Sequence, residues 1–490
     1  MDFPLLTVIV FTPIVSGLLI LLIPGERKTE IRIAALAAAT FALLLSLGAY
    51  IMYDRSLGGY QFVQIFTWIP QLGISYHVGV DGMSLPLVLL TGIVIFTGVL
   101  ISWGIDDRPR EFFAFLFVLA SGVFGVFVSL DLFQLFFFYE IAVFPMYLLI
   151  AIWGWQVTRE YAAMKLTLYL FIGSLVALVG GLAMYYTSGL GTFDLLALQE
   201  AGFSTAFQRL WFPFVFFGFA VLGGIFPFHN WSPDGHVAAP TAVSMFHAGV
   251  LMKLGAFAAL RVGFMLLPEG ARFWSPLILG LATVNVVYGA FIAMVQTDFK
   301  YVIGFSSVSH MGLVMLGFAT LNREGLTGAG LQMFSHGVMT ALFFAVVGVV
   351  YDRAHTRDIP KLGGFSKVMP LVAVAFIVGG LASMGMPGFS GFIAEFPIFM
   401  GLWKAQPVVA LIAALGIVIT AAYIMRVVGR VFFGKMPAEM EGHISRETAL
   451  DRIALGVLAG ILILVGVVPS VMAPLVASGA DAVVRLLGGA

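Results

Sequence analysis

The sequence predicts an all-α polytopic membrane protein of about fourteen transmembrane helices, built as two inverted five-helix repeats that each contain a discontinuous helix. Three observations lead there. The 490 residues are 61% hydrophobic and 10% charged, where a soluble domain carries roughly a quarter charged residues, so the chain can hide its apolar surface only in a bilayer. The basic residues gather on one side of the apolar stretches. Two of those stretches are interrupted by helix breakers at corresponding places.

Crossing the hydrocarbon core takes about 20 apolar residues, which places spans near 4–24, 31–52, 82–104, 112–130, 132–152 and 163–186. Eight more are expected near 211–247 (broken), 249–267, 273–295, 301–320, 326–350, 367–402 (broken), 406–430 and 453–475. The first reads as a retained helix rather than a signal peptide, because no basic region precedes its apolar run and no small-residue cleavage site comes before the loop at Pro24. Of the 25 Lys and Arg, Arg55, Arg209, Arg272, Arg323, Lys404 and Arg485 fall on one side of this map and Lys253 and Arg261 inside a helix. All the others share the opposite side. Cytoplasmic loops carry the basic excess, so both termini are expected on the non-cytoplasmic side.

Residues 1–490 read as a single membrane domain, divided into N-terminal helices (1–111), a first five-helix repeat (112–267), a second (273–430) and a C-terminal loop with the last helix (431–490). In the first repeat, Phe226-Pro227-Phe228-His229-Asn230-Trp231-Ser232-Pro233-Asp234-Gly235-His236 is too polar for lipid, and Ala239-Pro240-Thr241 restarts a helix. In the second, Gly385-Met386-Pro387-Gly388-Phe389-Ser390-Gly391 breaks an apolar run. Irregular backbone survives at membrane depth only inside protein or beside a wet cavity, and paired interruptions point to a transporter-type inverted repeat.

Composition also excludes chemistry. With no cysteine, thiolate-held iron–sulfur clusters, zinc thiolates, disulfides and a cysteine nucleophile are ruled out, so any electron transfer belongs to another chain. A net charge of zero without a basic patch argues against nucleic acid as a partner. His229, His236 and His247 match no compact metal-ligand spacing and read as a wet lining. Asp81 reads as the cap of the third span.

What remains is a set of ionisable residues inside the spans. Glu140 lies near the middle of the fifth; a carboxylate there costs at least ~2.5 kcal/mol and is expected to face the bundle interior or water. Its alternative is a protonated carboxyl hydrogen-bonded across helices. Lys253, flanked by the small residues Gly249 and Gly255, can give up and regain a proton when desolvated, or snorkel to the interface, since its span is expected to start near 249. Glu395 follows the second break, as a proton acceptor or as a carboxylate favoured by a helix N-terminus. His310 and His336 sit mid-span on consecutive helices beside serines; imidazole can accept a proton on one nitrogen and release it from the other.

The chain resembles the M-type antiporter-like subunit of bacterial respiratory complex I, counterpart of the fourth hydrophobic subunit of mitochondria and of the D-type subunit of cyanobacterial and plastid complexes. The resemblance rests on Phe138-Tyr139-Glu140 through Pro145-Met146-Tyr147, on Phe228 through His236 with Ala239-Pro240-Thr241-Ala242, and on Gly304 through Gly312. Tyr351-Asp352-Arg353-Ala354-His355-Thr356 and Met386 through Phe392 complete it. It implies a proton-translocating subunit of NADH:quinone oxidoreductase in the bacterial inner membrane, flanked by other membrane subunits of complex I, neighbouring antiporter-like ones above all. NADH, FMN, iron–sulfur clusters and quinone are expected in those partner subunits and no cofactor in this chain. It further implies that Glu140, Lys253, His310, His336 and Glu395 form the proton relay. One position departs: where the family has a lysine on the seventh span to pair with Glu140, this chain has Leu222. That departure motivates the alternative of a non-conducting or altered structural copy. A subunit of a multisubunit sodium/proton antiporter or membrane hydrogenase is the remaining alternative.

Overall fold

The computed structural model describes residues 3–488. Apolar helices dominate because every backbone polar group in a bilayer must be satisfied within its own segment. The N-terminal part comprises α1 (Leu5–Ile20), α2 (Lys28–Met52), α3 (Leu85–Ile101) and α4 (Pro109–Val128). Next come α5 (Leu132–Trp153), α6 (Arg159–Ser188), the short α7 (Leu195–Glu200) and α8 (Thr205–Leu222). After α9 (Trp231–Ala238), one continuous helix, α10, runs Thr241–Phe264. It is followed by α11 (Pro268–Val295), α12 (Phe299–Ala319) and α13 (Arg323–Ala354). The chain closes with α14 (Pro370–Ser383), α15 (Ser390–Ala405), α16 (Pro407–Phe432), α17 (Ala449–Val467) and α18 (Ala473–Leu486).

Among the described residues, 12 helices are long and apolar enough to cross a membrane, with α1 and α14 apolar but shorter. Polar caps set where they start. The Asp131 carboxylate accepts from Gln134 N at α5, Asp298 from Lys300 N and Tyr301 N at α12, and Asn322 from Gly325 N at α13. The apolar stretches of α10 and α13 are wholly buried and that of α12 almost so, whereas α2 and α16 expose most of theirs. The middle of the molecule is therefore a three-helix column, and it carries Lys253, His310 and His336.

Three features depart from the helical reading. A two-stranded antiparallel hairpin, β1 (Gln61–Ile69) with β2 (Ile74–Val80), joins α2 to α3. Its turn glycine Gly73 has φ +65, and a Cβ there would lie 1.8 Å from the Gly191 carbonyl oxygen, so no other residue fits. The expected last span, 453–475, ends instead at Val467 because Pro469 stops it, and the chain turns into α18, which packs on α13.

The third departure is a correction to the first break. The expected spans 211–247 and 249–267 divide differently: α8 ends at Leu222, α9 occupies the break, and the helix restarted after Pro240 runs unbroken to Phe264. No breaker stands at 247–249, and the chain stays helical there by widening into π turns at His247–Leu251 and again at Ala259–Phe264. Lys253 consequently lies near the middle of its helix, wholly buried, and not at a helix start from which it could snorkel. The second break falls as expected: α14 ends at Ser383, Gly385 (φ +62) and Gly388 (φ +93) turn the chain, and α15 begins at Ser390.

Candidate functional site

Where α12, α13 and the second break meet, four polar groups gather. On α12, His310 Nδ1 lies 2.9 Å from the Ser306 carbonyl oxygen, an acceptor, so this nitrogen carries the hydrogen. Its Nε2 faces the Ser383 carbonyl at 3.2 Å, the Ser383 hydroxyl at 3.3 Å and Glu395 Oε1 at 3.6 Å. The carbonyl and carboxylate accept and the hydroxyl can donate, so this one nitrogen finds a partner whether or not it is protonated. The exposed end of α14 is what supplies the Ser383 carbonyl: a helix that stops at membrane depth leaves its last carbonyls without intrahelical partners.

Glu395, on α15 and 2% exposed, accepts from Gln332 Nε2 at 3.2 Å, while its Oε2 has no hydrogen-bond partner among the described residues. A cavity of about 10 Å³ lies beside it, lined by His310, Ser383, Glu395 and Thr420 among others, which is close to the least room a water molecule needs. The ring of His336, on α13, stacks on His310 with centroids 5.2 Å apart and planes 9° from parallel, and neither of its nitrogens has a partner among the described residues. Ser335 on α13 and Ser390 at the start of α15 share a hydrogen bond of 2.7 Å, tying the break to the column.

Lys253 donates to the Ala248 carbonyl at 2.5 Å within its own widened turn and forms no ion pair among the described residues. It lies within electrostatic reach of His310 and His336, and also of His236 and His247. The structure thus brings four of the five expected residues, Lys253, His310, His336 and Glu395, into one buried neighbourhood.

Glu140 stands apart. It is half-buried and sits on α5 between the exposed Phe137 and Phe144, three and four residues away and hence on one helix face. Its hydrogen-bond partner is the Ser174 hydroxyl of α6, at 2.7 Å. Leu222 is wholly buried against Gly255 of α10. The sequence expects Glu140 to face the bundle interior or water; Tyr139 and Ala142 hold the inward side of α5, and Glu140 lies on its outer side.

The sequence reads Asp81 as a cap, but the partners of several polar groups were not singled out from it. Asp81 does more than cap: it accepts from Met83 N and Ser84 N at the start of α3, and Arg261 grips both its oxygens at 2.9 Å. Burial opposes the Asp81 charge, yet the guanidinium holds its carboxyl below the usual carboxylate range. Lys165, on α6, pairs with Asp234 of α9 at 2.7 Å, and Tyr301 donates to the same carboxylate at 2.9 Å. Lys300 donates to the carbonyls of Val237 and Ala239, and Arg357 to that of Val237 at 3.0 Å, so basic side chains close the end of α9. A charge beside each helix break is the signal that would have found them.

The family described as NADH:quinone oxidoreductase/Mrp antiporter, TM, matches residues 129–420. The chain is 38% identical over 448 residues to NAD(P)H-quinone oxidoreductase chain 4 1 of Nostoc sp., spanning 90% of this chain and 83% of the relative. To chain 4 1 of Synechococcus elongatus it is 40% identical over 441 residues, spanning 88% and 82%. In structure it is similar to a chain of respiratory complex I from Thermus thermophilus with bound NADH, at TM-score 0.91 and 28% identity over 99% of this chain and 100% of that one. A chain of the Mrp complex from Dietzia sp. has the same fold at TM-score 0.89 and 20% identity over 100% of both chains.

Proposed function

Because the chain belongs to the NADH:quinone oxidoreductase/Mrp antiporter transmembrane family, we propose that it is the antiporter-like, proton-translocating membrane subunit of an NAD(P)H:quinone oxidoreductase, working among other membrane subunits of that complex. The observation that carries this reading is the buried set of Lys253, the stacked His336 and His310, and Glu395, with a water-sized cavity beside His310 and Glu395. NADH, flavin, iron–sulfur clusters and quinone belong to partner chains, and this one supplies acids, bases and imidazoles. The two halves, 112–267 and 273–430, act as the repeats, and the basic excess of the loops places both termini on the non-cytoplasmic side.

Electrostatics drives the chemistry. In a low-dielectric interior a charge displaced at one group acts strongly on the next. His310 and His336 accept a proton on one nitrogen and release it from the other, and Glu395 Oε2, free of partners among the described residues, is where a proton or water is received. Glu140, half-buried on an apolar outward face, is the point at which charge in a neighbouring subunit is felt: a carboxylate at membrane depth is tolerated only against protein or water.

The test is the proton-to-electron stoichiometry of the assembled complex in sealed vesicles. Lys253→Ala and Glu395→Ala are each expected to lower it while quinone reduction continues; an unchanged ratio in both variants refutes the reading. A second reading is favoured by one observation, Leu222: without a lysine there, Glu140 has only Ser174, as in a structural copy that does not conduct. Under it both variants keep the wild-type ratio.

A further inference from the structure

A proton line that starts at Lys253 needs a supply, and Glu140 is poorly placed to be it. That carboxylate turns outward to Ser174, and Leu222 fills the space beside Gly255 on the Lys253 helix. The first half of the chain offers Lys253 two imidazoles instead. His236, in the last turn of α9, and His247, in the first widened turn of α10, are both wholly buried. Their Nδ1 atoms lie 3.0 Å apart, with ring centroids at 4.3 Å.

Two ring nitrogens at that distance form a hydrogen bond only if one carries hydrogen and the other a lone pair. When the pair carries one extra proton, so that one ring is an imidazolium, it has two equivalent arrangements, interchanged when the shared proton crosses between the Nδ1 atoms. Each end is open to a further transfer. On the α9 side, His236 Nε2 meets the Ser232 hydroxyl at 3.0 Å. On the α10 side, His247 Nε2 is buried without a partner among the described residues. The charged groups around the pair are Lys253, within reach of both rings, and Lys300, which is anchored to the Val237 and Ala239 carbonyls beside His236. Trp231 packs against the His247 ring at 5.1 Å between centroids and Phe344 against the His236 ring at 5.6 Å. Two residues before His236 on α9, Asp234 remains a quarter exposed in its ion pair with Lys165, which gives the route an outer mouth.

We propose that His236 and His247 are a proton-carrying pair that feeds Lys253 from the Asp234 end of α9. This rests on the reading of Lys253 as part of a proton line. In each transfer one N–H bond breaks as the N–H bond on the neighbouring nitrogen forms, so no oxidant or co-reactant is needed.

The experiment uses the assembled complex in sealed vesicles, with His236→Gln and His247→Gln, which keep a hydrogen-bonding side chain but cannot carry a proton, beside Lys253→Ala. Each histidine variant is expected to lower the proton-to-electron ratio as far as Lys253→Ala does. A wild-type ratio in both histidine variants alongside a reduced one in Lys253→Ala overturns the inference and leaves the proposed function standing. A wild-type ratio in all three overturns both. Should a glutamine variant fail to assemble, nitrogen-15 NMR of the wild-type complex with labelled histidine decides. Coupling across a His–His hydrogen bond, with both ring tautomers populated and in exchange, is expected. Two fixed, uncoupled tautomers overturn the inference.

Discussion

Removing the Asp81 carboxylate should cost far more than a helix cap. Arg261 donates to both of its oxygens at 2.9 Å, and the two side chains are 4% and 9% exposed, so water screens the pair little. Breaking a buried pair by deleting one partner leaves the other charge uncompensated, at about 3–5 kcal/mol. The lost bonds from Met83 N and Ser84 N add roughly 0.5–2 kcal/mol. Asp81→Ala is therefore expected to destabilise the subunit by about 4–6 kcal/mol from these two principles together, and Arg261→Met by somewhat less because the cap survives. The double variant Asp81→Leu/Arg261→Met should recover much of the loss, since an apolar pair of similar volume replaces a buried ion pair at little cost. The assay is the temperature at which the purified complex releases this subunit, followed by size-exclusion chromatography. A double variant no more stable than the weaker single variant would refute the reasoning, because the penalty would then not come from the orphaned charge.

Two further outcomes follow from the same geometry. Burial, with Asp194 nearby, pushes the Asp131 carboxyl up to about 6 from 3.8, so the folded state holds this proton more tightly than the unfolded one. That contribution to stability is complete below about pH 4 and disappears as pH rises through about 6, amounting to roughly 3 kcal/mol at 1.36 kcal/mol per pKa unit; Asp131→Asn, which still caps α5, should flatten the stability profile across that window, measured by thermal release at successive pH values. Gly391→Ala would place a methyl 1.8 Å from the Ala382 carbonyl oxygen, so the second break should fail to close and the subunit should be missing from the complex on native gels; normal assembly would show that α14 and α15 have room to part.

Much of the architecture was legible because a bilayer imposes a simple code. Runs of apolar residues, Pro240, and the glycines around Pro387 carried the spans and both breaks, and charge in oil marked Lys253, His310, His336 and Glu395. What stayed hidden depends on residues distant in sequence or on small changes of helical pitch. Arg261 and Asp81 meet across 180 positions, and no local pattern in either helix announces it. The His236–His247 contact involves the widened turn at His247–Leu251, which no proline between 241 and 249 announces. The hairpin of Gln61–Val80 lies in strands too short to outweigh the surrounding helical signal. Glu140 is a different case: the energetic cost of its burial was read correctly, but the same cost is met equally well against a neighbouring subunit, and sequence alone does not distinguish an inner face from an outer one.

The widened turns of α10 have a consequence for how such a chain can vary. A π turn amounts to one surplus residue in a helix that otherwise keeps 3.6 per turn. Excising Gly249 would let His247–Leu251 relax to ordinary pitch with everything after it close to its present phase, because the widened turn already absorbs the surplus residue; losing Met252, in ordinary helix, would instead swing Lys253 by about 100°, away from the imidazoles. The angular phase of the lysine is thus stored in the residue count of the ordinary turns, and a single deletion there would redirect it without altering one ionisable side chain.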